Sequence, residues 1–171
     1  MTTWSVVPAQ PEHLPALPHI EREAATLFPP GSFPPGFTDG TVDEALLQAA
    51  QHEGRLWVAL DHDTDEPVGF ALAMVIESTA FLAEVDVLPT HGRRGIGRAL
   101  VEHAVAWAVA QGWPSLALTT FADLPWNAAF YRKLGFEAMD EADLPEPVRA
   151  ALAREAAEGF DRRVAMAFAL G

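Results

Sequence analysis

The 171-residue chain contains no cysteine, a single tyrosine and a single lysine. Without thiols it has no cysteine nucleophile, no disulfide and no thiolate metal site. Bases are scarce as well: 11 Lys and Arg stand against 24 Asp and Glu, a net charge of −13. Such a charge repels phosphate backbones and anionic lipid surfaces, so neither nucleic acid nor membrane is an expected partner. The longest apolar run, Val68 to Ile76, stops at Glu77, far short of the roughly 20 residues that cross a bilayer. Residues 1 to 20 show no basic start followed by an apolar block, which makes the cytoplasm the expected location. No repeat or linker divides the sequence, so a single domain over 1–171 is expected. A chain of this length hides roughly 70% of the surface its unfolded form exposes, enough for a core without staples. His13, His19, His52, His62, His91 and His103 show no paired ligand spacing, and no metal site is expected.

What is present is a succession of strand and helix patterns. Residues 3–8 read as a strand, and Leu17, Ile20, Ala24 and Leu27 recur at helical spacing through Phe28. The stretch Pro29 to Phe37 is too rich in proline and glycine for regular structure, and its two phenylalanines, needing cover, suggest a loop that lines a pocket. Thr41 with Glu44 forms a capping-box pattern ahead of a second helix. Residues 55–61, 67–77 and 80–88 read as an antiparallel meander, with turns at Asp61 to Glu66 and at Ser78-Thr79. From Ile96 the period becomes helical, with Ile96, Ala99, Leu100, Ala104, Trp107 and Ala108 on one face, until Gly112. Val101, Val105 and Val109 on its flank predict burial on more than one side. A strand over 115–121, a helix over 125–134, a strand over 136–140, a polar helix over 147–158 and a last strand through Val164, Met166, Phe168 and Leu170 complete the chain. The mixture predicts an α/β sheet with helices on both faces.

The most informative stretch runs from Val85-Asp86-Val87 through Pro89 into Gly92-Arg93-Arg94-Gly95-Ile96-Gly97-Arg98: strand, proline-marked turn, glycine-rich loop, helix. A helix N-terminus presents unpaired N–H groups and partial positive charge, and glycines let an anion come close to the backbone. Arg93, Arg94 and Arg98 concentrate positive charge there in an otherwise acidic chain. The loop is not a Walker A sequence, since Arg98-Ala99 follows Gly97 where Lys-Ser/Thr would stand. Nor is it a dinucleotide fingerprint, since Leu100 occupies the place of the third glycine and a meander precedes it.

These residues resemble motif A of the GCN5-related N-acetyltransferase (GNAT) family, in which Gln/Arg-x-x-Gly-x-Gly/Ala opens a long helix around the pyrophosphate of acetyl-CoA. Gly92 stands where the family has Gln or Arg. Downstream, Pro125 to Phe136, with Asn127, Tyr131 and the closing Leu134-Gly135-Phe136, resembles the family's motif B. The resemblance implies a GNAT-like mixed, largely antiparallel sheet flanked by helices on both faces, with an extra C-terminal helix before the last strand. It implies acetyl-CoA as cosubstrate, a small-molecule or peptide amine as acceptor, and pairing into a homodimer as is common in the family. Cofactor contacts are expected from Val85, Asp86, Val87, Arg93, Arg94, Gly95, Ile96, Gly97, Arg98, Asn127 and Tyr131. Tyr131 corresponds to the tyrosine proposed to protonate the departing thiolate, and Asn127 to an asparagine that bonds the pantetheine arm.

Neither a thiol nor a Gly-x-Ser-x-Gly elbow offers an acyl-enzyme nucleophile, so direct attack in a ternary complex is the expected path. Glu84 and Asp86 lie two apart on one strand and share a face. An acid in a partly dry cleft gains the proton affinity a general base needs, and the longer Glu84 is preferred over Asp86 for that role. Glu21 and Glu23 are alternative bases, read in preference as solvated helix charges. A non-catalytic acyl-CoA sensor on the same fold is the other class of function compatible with these residues.

Overall fold

The computed structural model of the chain describes residues 2–37, 40–124, 127–160 and 162–170. Among these lie seven strands and five α-helices: β1 (Trp4–Pro8), α1 (Leu17–Ala25), α2 (Glu44–His52), β2 (Leu56–Asp61), β3 (Pro67–Ile76), β4 (Thr79–Val87), α3 (Ile96–Ala110), β5 (Ser115–Phe121), α4 (Ala128–Lys133), β6 (Glu137–Ala138), α5 (Glu146–Ala157) and β7 (Arg163–Ala169). The strands form one sheet in the order β1-β2-β3-β4-β5-β7-β6. Every adjacent pair is antiparallel except β4 with β5. The expected mixed α/β fold, including the additional helix before the last strand, is what the chain adopts. No helix among the described residues is long and apolar enough to cross a membrane.

Side-chain alternation along the strands divides the core in two. On one face Trp57, Ala59, Ala71, Ala73, Leu116, Leu118 and Met166 pack under α3, which contributes Ile96, Leu100, Val101, Ala104 and Ala108. On the other, Leu56, Val58, Phe70 and Leu72 meet Leu17, Ile20, Leu47 and Ala50 of α1 and α2. Phe81, Ala117 and Ala165 on that same face meet Val148 of α5. The buried positions of α3 recur at i, i+4 and i+8, so the helix lies with one stripe on the sheet. Val109, expected to share in that burial, is instead 55% exposed on the far side of the helix.

Two local expectations shift. The cap of α2 is Asp43, whose carboxylate accepts the Ala45 N–H at 2.8 Å, rather than the Thr41–Glu44 box. The Val42 N–H is already held by Glu21 of α1 at 2.9 Å, which fixes the chain just before the helix starts. The β3–β4 turn comprises Glu77 and Ser78, with Glu77 at φ 54°, and Thr79 is already in the strand. The fourth helix begins at Ala128; the Pro125 and Trp126 part of its expected span lies outside the described residues. Gly135, which closes it at φ 107°, also has a tertiary reason. A Cβ there would stand 2.6 Å from Cε2 of Phe168 on β7.

Two features of β4 open the sheet at its middle. Its register against β3 passes from Ala73↔Leu82 to Leu72↔Glu84, leaving Ala83 as a bulge. Against β5 it pairs only at Ala80↔Leu116 and Phe81↔Ala117. Beyond Phe81 the parallel neighbours separate, and the edge of β4 facing β5 carries no ladder.

Candidate active site

The bulge decides which way the acids point. Strict alternation from Ala80 and Leu82, both packed under α3, would place Glu84 on that same face. One inserted residue reverses the parity. Glu84 pairs with Leu72 and Asp86 with Phe70, both of which face α1 and α2, while Val85 and Val87 turn toward α3. The two acids therefore project into a cleft of about 630 Å³ between α1 and α5. The cleft reaches through the β4–β5 opening to Asn127 and Tyr131 on the other side. Phe28, Phe33, Phe37, Phe121 and Phe160 form its apolar wall, so the proline-rich loop does line a pocket. A larger depression, about 680 Å³ between Pro11–Pro18 and α2, contains no residue of either motif.

Within the cleft Glu84 and Asp86 share a side-chain hydrogen bond. Burial raises the proton affinity of both. Glu84 is held well above the usual carboxylate range, with the Asp86 and Glu21 charges adding to burial and Arg163 opposing it. Asp86 is raised to about 7 by burial and by Glu21, with the bond to Glu84 opposing. Two carboxylates this close do not both ionise easily, and their titration belongs to the pair. The pair therefore keeps a proton at higher pH than an exposed carboxylate does. Glu21, preferred from sequence as a solvated helix charge, is half-buried in the same cleft, and burial raises its proton affinity too. Glu23 is exposed, as expected.

Tyr131 is half-buried, with its ring 5.1 Å from Phe130 and 5.6 Å from Phe136 between centroids. Burial first, and then the Asp86 and Glu84 charges, raise its proton affinity, so the phenol stays protonated. Asn127 lines the cleft beside it, and its Oδ1 is buried without a hydrogen-bond partner among the described residues.

The glycine turn lies at the start of α3. Gly95 is its N-cap at φ 83°, a left-handed conformation that costs a residue with a Cβ about 1–2 kcal/mol. Arg93 also sits at φ 59°, unusual for a side-chain-bearing residue. The amides of Ile96, Gly97 and Arg98 have no acceptor within the helix, so this end presents main-chain donors with the helix dipole behind them. Arg93, Arg94 and Arg98 are exposed, and Arg98 reaches Glu102 at 2.8 Å. The Ile96 side chain is buried under the sheet and leaves only its amide for a ligand. His91 turns away from the turn to Asp61, at 2.8 Å, and that contact is the first cause of the lowered proton affinity of Asp61. Trp57 is core, packed against Trp107. Among the described residues no cluster of His, Asp or Glu could hold a metal ion.

Sequence reading did not find the group on the opposite wall. Glu155 of α5 accepts from the Thr119 hydroxyl and from Arg163 Nε, each at 2.8 Å. A lone Glu on a polar helix gives no local sign that it will be drawn inward.

The profile described as "Acetyltransferase (GNAT) family" matches residues 19–136. Peptidyl-lysine N-acetyltransferase YjaB of Salmonella typhimurium is 33% identical over 103 residues, 60% of this chain and 64% of that protein. The chain thus matches less than two thirds of that relative's length. PaiA N-acetyltransferase of Thermoplasma acidophilum, solved with coenzyme A, superposes with a TM-score of 0.72 at 16% identity, covering 98% of this chain and 99% of that one. N-acetylglutamate synthase of Neisseria gonorrhoeae, complexed with coenzyme A and N-acetyl-glutamate, gives a TM-score of 0.72 at 17% identity, covering 100% of this chain and 36% of that one. At such identities the structural likeness is one of fold.

Proposed function

Because the chain belongs to the acetyltransferase (GNAT) family, we propose that it moves an acetyl group from acetyl-CoA to a primary amine by direct attack within a ternary complex. The observation that carries this reading is one continuous cleft joining Asp86 and Glu84 to Tyr131 and Asn127 through the β4–β5 opening. The residues present suit the cosubstrate. Main-chain donors at Gly95 to Arg98 fit a diphosphate, and the buried Oδ1 of Asn127 fits an amide N–H of the pantetheine arm. The unladdered edge of β4 from Ala83 to Val87 offers amides to that arm and to the thioester oxygen as it gains charge.

The amine enters the cleft as an ammonium and must lose a proton before it attacks. The Glu84–Asp86 pair accepts that proton, and an apparent value of about 7 on Asp86 suits a base working near neutrality. The base in this reading is the pair, so the preference for Glu84 from its reach and the raised value of Asp86 describe one shared group. The nitrogen then forms its bond to the carbonyl carbon, the carbon–sulfur bond breaks, and the thiolate takes a proton from Tyr131; the phenolate recovers one from the acylated nitrogen, which becomes the neutral amide, and the proton held by the pair leaves to solvent. The two proton transfers assist one another. The negative charge of the pair is one of the causes that tighten the Tyr131 proton, so neutralising the pair loosens that proton as the thiolate departs.

Calorimetry with coenzyme A, followed by thiol release from acetyl-CoA across a panel of primary amines, tests the assignment. Binding and turnover are expected. Binding without turnover of any amine would favour the sensor reading, and no binding would overturn the family function altogether. Tyr131→Phe should lower kcat at least about tenfold while leaving the acetyl-CoA Kd within about twofold; an unchanged kcat would remove Tyr131 from the proton path.

A further inference from the structure

The contact on α5 is not used by the transfer step. Glu155 Oε1 takes all the protein donors, Thr119 Oγ1 and the Arg163 guanidinium, each at 2.8 Å. Oε2 is buried and has no hydrogen-bond partner among the described residues. The arginine that holds this carboxylate lies over an apolar wall, its Cζ 4.5 Å from the Phe121 ring centroid and 5.4 Å from that of Phe160. Phe37 continues the wall, edge-on to Phe160 at 4.8 Å. This corner opens on the same cleft as Asp86.

A buried carboxylate oxygen without a donor is expensive, and the surrounding phenylalanines have no donor to give. A ligand that satisfies both the rings and the oxygen has a flat apolar body with an O–H or N–H on it. A lysine side chain provides neither: it is aliphatic, and its only donor is the nitrogen that must reach Asp86.

We propose that this corner is the acceptor-recognition subsite, selecting an aromatic primary amine whose ring carries a hydrogen-bond donor. The ring packs on the open side of the phenylalanine wall, which Phe37 exposes to the cleft, and the donor bonds Glu155 Oε2. The assignment rests on the acetyltransferase reading and names the substrate class of that same cleft. It gives the extra helix a role, with Glu155 as a specificity-determining residue.

Tyramine and 2-phenylethylamine differ by one hydroxyl, and Nα-acetyl-lysine amide represents the peptide alternative. With wild-type protein, kcat/KM for tyramine should exceed that for 2-phenylethylamine by at least about tenfold, because a site built around a buried acceptor rejects the analogue that lacks its donor, and should exceed that for the lysine derivative by as much, because its amide donors come without a ring for the phenylalanine wall. Equal values, a preference for the lysine derivative, or coenzyme A binding with no turnover of tyramine would overturn the proposal while leaving the family function standing. Loss of coenzyme A binding would instead defeat the underlying reading. Glu155→Gln sharpens the result. Its amide oxygen can still serve Thr119 and Arg163, which puts an NH2 where Oε2 stood. The tyramine to 2-phenylethylamine ratio should then fall several-fold, because the phenol can only accept from that NH2 where it had donated to a carboxylate. A merely structural role would lower both amines together and preserve the ratio. Should this variant fail to fold, the wild-type ratio decides alone.

Discussion

On the α3 side of the β4–β5 opening the groups available to a ligand are mostly main-chain amides, from one short segment, Gly95 to Arg98, and from the freed edge of β4, with Asn127 and Tyr131 as the side chains beside them. On the α1 and α5 side they are side chains drawn from α1, β4, β5, α5 and β7, brought together by the whole sheet. Main-chain donors are the same whatever the sequence, so the first side suits a ligand that does not vary. Side chains can be exchanged one at a time, so the second suits a ligand that distinguishes one protein from another. A variant on one side should therefore change the response to one substrate and spare the other.

The largest break is expected from Asp86→Asn, which removes one carboxylate of the proposed base and should lower kcat/KM for the amine by about a hundredfold or more. Initial-rate kinetics should show this with the acetyl-CoA Kd within about twofold. A similar loss of cofactor affinity would merge the two sides. Gly95→Val attacks the other side. A branched side chain at φ 83° distorts the N-cap, and the acetyl-CoA KM should rise at least about tenfold with the amine KM nearly constant.

A smaller effect concerns pH. Burial raises Asp86 from 3.8 to about 7, so the folded form prefers the proton. Stability linked to this group is fully present below about pH 4 and is lost as pH rises through about 7, the reverse of an exposed paired carboxylate. Thermal melts of the ligand-free protein should show a midpoint that falls between pH 5 and pH 8, with a shallower slope in Asp86→Asn. Turnover should run the opposite way, rising toward a plateau above about pH 7, because the proposed base needs one ionised carboxylate in the pair. Parallel profiles would separate the base from Asp86. The smallest effect is expected from Arg98→Ala. That side chain is exposed and already paired with Glu102, so coenzyme A affinity should drop by no more than about threefold, and less at high salt. A large loss would mean that side-chain charge, not the amides, holds the diphosphate.

The same contrast accounts for what could be read from the chain alone. Gly92 to Arg98 follow a strand and open a helix, so spacing within a few residues is enough to place the turn. The alternation of strands and helices, and even the polar helix before the last strand, follows from periodicity for the same reason. Glu84 and Asp86 could be assigned to one face, but not to which face, since nothing in Leu82-Ala83-Glu84 marks the bulge that decides it. Glu21 has the pattern of a surface acid on α1, yet the segment at Val42 folds back onto it and the cleft closes around it. Glu155 gave no signal at all, because it lies on a helix and its partners Thr119 and Arg163 come from two strands, β5 and β7.

The sequence by itself determined the element order, the glycine turn at the head of α3 and the placing of Glu84 and Asp86 on one face of a strand, because each depends on neighbours a few bonds or one helical turn away. Only the tertiary structure decided that the acids face α1, that burial raises the proton affinity of both, and that Glu155 has one oxygen buried without a partner among the described residues. Those outcomes depend on desolvation and on contacts between strands far apart in the chain, and neither quantity exists until the sheet has closed around the cleft.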